Sequence, residues 1–162
     1  MTRALQPVVV VTHLVATWFM VGLIWTIHVV HYPLFAEVGA STYVEFQAAH
    51  VDRIGPLLAV PWAIEGVAAA VILFAAVTTQ NRSFLVPAVL GAVAMGVVLV
   101  VSGFWSAPAH GELADGFDPD VHARLMRADL VRTLAWTIRG ACAVWMTVLL
   151  FRKPDPAVPA RP

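Results

Sequence analysis

The chain has 162 residues, 60% of them hydrophobic and 12% charged, with a mean hydropathy of +0.80 and no net charge. That composition excludes an ordinary soluble domain, and without a basic patch the balanced charge gives no basis for nucleic-acid binding. A single cysteine, Cys142, leaves no disulfide framework or cysteine metal site and reads as a small apolar core residue.

Four apolar segments follow in order, Val8–Val30, Leu57–Val77, Leu85–Trp105 and Leu130–Phe151. Each is long enough, at about 1.5 Å per helical residue, to cross a hydrocarbon core of about 30 Å. The expected fold is all-α: a polytopic membrane protein whose antiparallel four-transmembrane-helix bundle occupies residues 1–151, followed by a Pro-rich, disordered cytoplasmic tail over 152–162. The first segment is too long for a signal-peptide core and has no small-x-small cleavage site after it, so it is expected to stay. It carries His13 and closes on "IWTIHVVHYPLF", with His28 and His31 one helical turn apart before Tyr-Pro ends the run.

In the first long connection, Thr42 and Glu45 have capping-box spacing for a helix starting near Tyr43. That helix would put Tyr43, Phe46, His50 and Ile54 on one face and Glu45 and Asp52 away from it. The connection Thr78–Phe84 is short. In the last connection, Asp118 before Pro119 reads as an N-cap followed by proline at the first helical position, so helix four should begin outside the membrane. One or two short surface helices are therefore expected on this side.

If the spans alternate, Arg3, Arg82, Arg152, Lys153 and Arg161 share one side, and Arg53, Arg124 and Arg127 lie on the other among eight acidic residues. The bias predicts both termini in the cytoplasm of a bacterial inner membrane. Trp18, Trp25, Trp105 and Trp145 are then interface anchors or core packing, and Gly91, Ala92, Met95, Gly96 and Ser102 are close-packing positions on helix three.

Five of the six histidines fall at the outer face in this topology. Imidazole suits copper, iron and zinc, which need three or four such ligands at about 2.0 to 2.1 Å. His31, His50, His110 and His122 are the expected metal ligands because they come from different segments, with His28 as a substitute; the ion would be copper or iron, or the cofactor a haem. Each histidine also has an ordinary reading as an interfacial, hydrogen-bonded residue.

Deeper in the bundle, Glu65 lies about nine residues into helix two and Arg139 about ten into helix four, so the two are expected to face each other at similar depth. Arg132, Trp136 and Arg139 form one stripe of helix four, and Trp62 shares a face with Glu65. Buried charges pair or line a polar cavity. Glu65, Arg132 and Arg139 are thus candidates to orient a lipophilic substrate beside Trp136, their positive excess suiting an anionic or quinone-like ligand. The alternatives are a structural ion pair, or a proton or anion path that His13 could extend. Bilayer lipid, a lipophilic small molecule and a second copy of the chain are the expected partners.

The stretches "HYPLFAEVG", "HVDRIGP", "AIEG", "PAHGELADGFDPDVHARL" and "RTLAWTIRG" together resemble a family of small, uncharacterised bacterial four-helix membrane proteins, over nearly the whole chain. In size and helix count the chain is also similar to the anthrone oxygenase-like membrane proteins. That resemblance implies oxidation of a lipophilic aromatic compound and transfers no catalytic residue.

Overall fold

A computed structural model describes residues 5–152; Arg3, Lys153, Arg161 and the remainder of the expected tail lie outside the described residues. The helices are α1 (Leu5–Thr26), α2 (Tyr43–Thr78), α3 (Arg82–Val101), α4 (Ala107–Leu113) and α5 (Pro119–Phe151), and no strand occurs among the described residues. A π-helical turn, Ile27–His31, and a 3-10 turn, Pro33–Glu37, extend α1, while a second π-helical turn, Ser102–Ser106, joins α3 to α4. Four stretches are long and apolar enough to cross a membrane: Gln6–Glu37, Tyr43–Thr78, Arg82–Leu113 and Pro119–Phe151. They form an antiparallel bundle in which α1 packs on α2, α2 on α3, α3 on α5 and α5 on α1. Outward-facing valines, isoleucines and phenylalanines such as Val15, Val60, Phe74, Val93 and Ile138 clad the exterior, as lipid contact requires.

The helix starting at Tyr43 is present, and it runs without interruption into the second span. Pro56 and Pro61 both lie inside it. Proline is tolerated there because neighbouring helices and local adjustment absorb the missing N–H donors. At 36 residues α2 is about 54 Å long, well beyond the hydrocarbon thickness. The polar outer segments are thus helical mainly as continuations of spanning helices. Asp118 caps α5, its Oδ1 accepting from the backbone N–H groups of Asp120 at 2.8 Å and Val121 at 2.9 Å. Thr42 does not cap in this way; its hydroxyl donates to the carbonyl of Gly39 at 3.1 Å.

Both π-helical turns have the same cause. Proline cannot donate to the carbonyl four residues back, and its ring collides with that carbonyl. Pro33 and Pro108 each stand two residues beyond a π-helical turn, and the carbonyls they would strike, those of Val29 and Phe104, lie inside those turns. The wider turn moves the carbonyl aside and keeps the backbone bonded: Tyr32 N–H donates to Ile27 O at 2.8 Å, and Ala107 N–H to Ser102 O. Single π-helical turns concentrate at functional sites, and here both fall near one end of the bundle.

The buried apolar residues form three groups along the axis. Ile27, Tyr32, Phe35, Tyr43, Ala109, Leu113 and Leu125 pack at the histidine end. Met20, Val21, Ile24, Ala94, Val98, Ala135 and Trp136 fill the middle. Val10, Ile72, Ala76, Phe84, Ala88 and Met146 close the opposite end. Buried polar side chains lie at the two levels between these groups.

Candidate functional site

At the first polar level the π-helical turn Ile27–His31 delivers His28 and His31 to different partners. His31 Nε2 meets His50 Nδ1 at 2.9 Å, and the His50 ring stacks on His110 with centroids 5.2 Å apart. Thus His31 from the first span, His50 from α2 and His110 from α4 form one contiguous group. Gln47, one turn before His50, is fully buried and donates from its amide nitrogen to both Nδ1 and the carbonyl oxygen of His110, at 3.0 and 3.3 Å. Nδ1 of His110 is therefore an acceptor, so Nε2 carries the proton and donates to the Tyr32 hydroxyl oxygen at 2.9 Å. Both nitrogens of His110 are engaged.

His122 lies just outside this contact group. It donates from Nε2 to the backbone carbonyl of Tyr32 at 2.8 Å, and its ring lies against Phe35 and Phe117. His28 turns to α5, donating from Nδ1 to Asp129 Oδ2 at 3.1 Å, while Arg132 approaches the other oxygen of Asp129 at 3.7 Å. Asp129 has no exposed surface. Arg132 is thus balanced by its own carboxylate, and the expected pooling of Arg132 and Arg139 around Glu65 is replaced by two separate ion pairs.

Three side chains on one face of α2, Tyr43, Gln47 and His50, each keep a buried polar atom without a hydrogen-bond partner: Tyr43 Oη, Gln47 Oε1 and His50 Nε2. Buried groups of this kind are few in folded proteins, and leaving one unsatisfied costs about 1–3 kcal/mol. They lie at consecutive turns of one helix and leave hydrogen-bonding capacity there that a polar group could use. A crevice of about 250 Å³ opens beside His31 and His50, lined also by Phe46, Ala49, Arg53, Ile54 and Leu57. Among the described residues no three His, Cys, Asp or Glu side chains converge with metal-ligand spacing; His31 and His50 alone bring two imidazole nitrogens together.

At the second polar level all four spanning helices meet in one node. Arg139 of α5 reaches across the bundle to Glu65 Oε1 on α2 and donates its other terminal nitrogen to the carbonyl of Gly91 on α3. From α1, His13 Nε2 stands 3.2 Å and Thr17 Oγ1 3.3 Å from the same Glu65 oxygen. The Arg139 guanidinium also sits over the Trp136 ring, 5.4 Å from its centroid, and Trp136 meets Trp62 edge to face. The expected facing of Glu65 and Arg139 is a direct ion pair; Glu65 is the 23rd residue of α2, because that helix begins at Tyr43 rather than at Leu57.

Sequence reasoning passed over Gln47, Tyr32 and Asp129. Two of these had a readable signal: Gln47 continues the Tyr43, His50, Ile54 face at i+4, and Asp129 falls on the Leu125, Trp136, Arg139 stripe of α5. Tyr32 had none beyond its place before Pro33. Gly91, read as a packing position, also supplies its carbonyl to Arg139. No family model, curated protein or solved structure matches the chain.

Proposed function

We propose that the protein is an integral membrane oxidoreductase whose histidine end holds a copper or iron ion on His31 Nε2 and His50 Nδ1 and acts on a small lipophilic compound. The observation that carries this reading is the 2.9 Å separation of those two nitrogens. Two imidazole nitrogens that close together could serve as neighbouring ligands of one copper or iron ion, a donor type both metals accept. Phe35 packs on both rings, and the apolar cluster it belongs to, with Tyr43, Leu113 and Leu125 also without exposed surface, is densely filled, which favours an ion over a haem.

The roles of the other residues follow from their contacts. His110, held by Gln47 and Tyr32, backs the His50 ring and fixes its plane. Phe35 packs edge-on to both the His31 and His50 rings, at 5.4 and 5.1 Å between centroids. Phe46, Ile54 and Leu57 make the crevice wall apolar, suited to a substrate arriving from the bilayer. A bound copper or iron ion would supply one-electron exchange with that substrate. The resemblance to anthrone oxygenase-like proteins accords with a lipophilic aromatic compound. The Lys/Arg bias of the sequence supports an orientation with the histidine end at the outer face of a bacterial inner membrane.

Elemental analysis of the protein purified in mild detergent, with its visible spectrum, tests the reading. Near-stoichiometric copper or iron is expected, falling at least tenfold in His31→Ala and His50→Ala and staying intact in His122→Ala. A protein that takes up neither metal on reconstitution, or a His50→Ala variant with full occupancy, overturns it.

A further inference from the structure

The node formed by Glu65, Arg139 and His13 is separate from the histidine end. Asp129 and Arg139 lie ten residues apart on α5, about 15 Å along its axis. The apolar middle of the bundle, with Met20, Ile24, Val98 and Trp136, lies between them. The node has its own opening. A pocket of about 190 Å³ adjoins it, bounded by His13, Glu65 and Arg139 on the polar side. Small residues of α2 and α3, Gly66, Ala69, Ala70, Gly91 and Ala92, line it and leave that space unfilled by side chains.

Gly66, Ala70 and Ala92 are exposed, so the mouth lies on the lipid-facing side wall of the bundle. A molecule would enter sideways from the bilayer. The volume suits one six-membered ring, since a cavity of roughly 150 Å³ accommodates benzene.

The polar wall has unused hydrogen-bonding capacity. Glu65 Oε2, His13 Nδ1 and Arg139 Nε have no partner, although the three residues are respectively 0%, 4% and 2% exposed. His13 donates from Nε2 to Glu65, so its Nδ1 is an acceptor. The free set is two acceptors, Glu65 Oε2 and His13 Nδ1, with one donor, Arg139 Nε–H. A phenolic hydroxyl satisfies one of each, donating to an acceptor while its oxygen accepts from the guanidinium. A carbonyl oxygen on the same ring can take only the donor.

We infer that this lateral pocket binds the aromatic head of a membrane-soluble quinol or quinone, its ring between α2 and α3, its oxygen on Arg139 and Glu65, and its apolar tail in the bilayer. The reduced form binds more tightly because its hydroxyl uses both kinds of free group. The site is independent of the ion at the histidine end.

The test is a titration of the full-length protein in lipid nanodiscs with decyl-benzoquinol and decyl-benzoquinone, read by quenching of tryptophan fluorescence. Trp136, against the node, is the expected reporter. Saturable quenching is expected, with the quinol the tighter ligand, and decylbenzene, which lacks the oxygens, should not compete.

Glu65→Gln should weaken binding at least tenfold. Gly66→Phe should abolish it without touching the ion pair, because a Cβ at Gly66 meets nothing within 4 Å and the ring can occupy the pocket. His50→Ala should bind as the parent does, so that failure of the metal reading and failure of this one are distinguishable. Quenching that never saturates, binding that survives Gly66→Phe, or equal competition by decylbenzene overturns the inference, whether or not Glu65→Gln folds.

Discussion

Removing one partner of the central ion pair should cost far more than removing both. Glu65 is wholly buried, and the Arg139 side chain is 3% exposed. In Glu65→Leu the guanidinium stays in the bundle interior with the Gly91 carbonyl as its remaining hydrogen-bond acceptor, a loss of about 3–5 kcal/mol for a buried charge stripped of its counter-ion. Arg139→Leu should fall at the lower end of that range, because Glu65 keeps its contacts with His13 and Thr17 and a carboxyl group can neutralise itself by taking up a proton. If the losses were independent, the double variant would be destabilised by about 6–8 kcal/mol. Replacement of a buried pair by apolar residues is commonly near neutral, so the double variant should lose no more than about 3 kcal/mol and the coupling should be about 3 kcal/mol or larger. Equilibrium unfolding in mixed micelles, followed by tryptophan fluorescence for the parent, both single variants and the double variant, measures this directly. A double variant as unstable as the sum of the singles would show that the two charges are not balancing each other, and the account of the node would fail.

Two smaller contrasts test the helix assignments with the same unfolding assay. Asp118→Ala should destabilise by about 1 kcal/mol through loss of the α5 cap, whereas Thr42→Ala should be nearly silent because that hydroxyl bonds Gly39 rather than the helix. Gly140→Ala should cost about 1 kcal/mol, since its Cβ would meet Val21 Cγ2 at 3.2 Å and the Trp18 ring at 3.3 Å. Gly96→Ala, where nothing lies within 4 Å, should be neutral or slightly stabilising.

What the sequence could reveal depended on whether the information was local. Four long apolar runs announce four spanning helices because hydrophobic length is a property of each run alone. The Tyr43, Phe46, His50, Ile54 face was readable from periodicity, as was the Asp118 cap from its position before Pro119. The Glu65–Arg139 pair was readable because few charges lie inside apolar runs and each needs a partner. Partner choice among several charges is not local. Arg132 and Arg139 sit on one stripe; Asp129, three residues before Arg132 on α5, takes the first together with His28 of the first span, while the bundle packing sets Glu65 of α2 against the second. The five histidines were gathered correctly at one end, but which nitrogen meets which depends on ring orientation. The two π-helical turns were also out of reach, since a proline announces that something must change in the preceding turn without saying whether the helix breaks, kinks or widens.

That choice explains why a polar site exists at the histidine end at all. Had the first span broken before Pro33, His28 and His31 would belong to a loop, and their backbone groups would need partners of their own. A simple kink would leave regular helical spacing on either side of the bend. Widening keeps nearly every backbone group bonded while presenting His28 to Asp129 and His31 to His50 from a single stretch of helix. The same solution before Pro108 carries the chain from α3 into α4, where His110 meets Gln47 and Tyr32. The node at Glu65 needs no such device, because its four helices are regular where they meet. One polar level is therefore built by distorting helices around imidazoles and the other by fitting a single ion pair between undistorted ones. The apolar packing of Met20, Ile24, Val98 and Trp136 lies between them and keeps the two polar levels structurally separate.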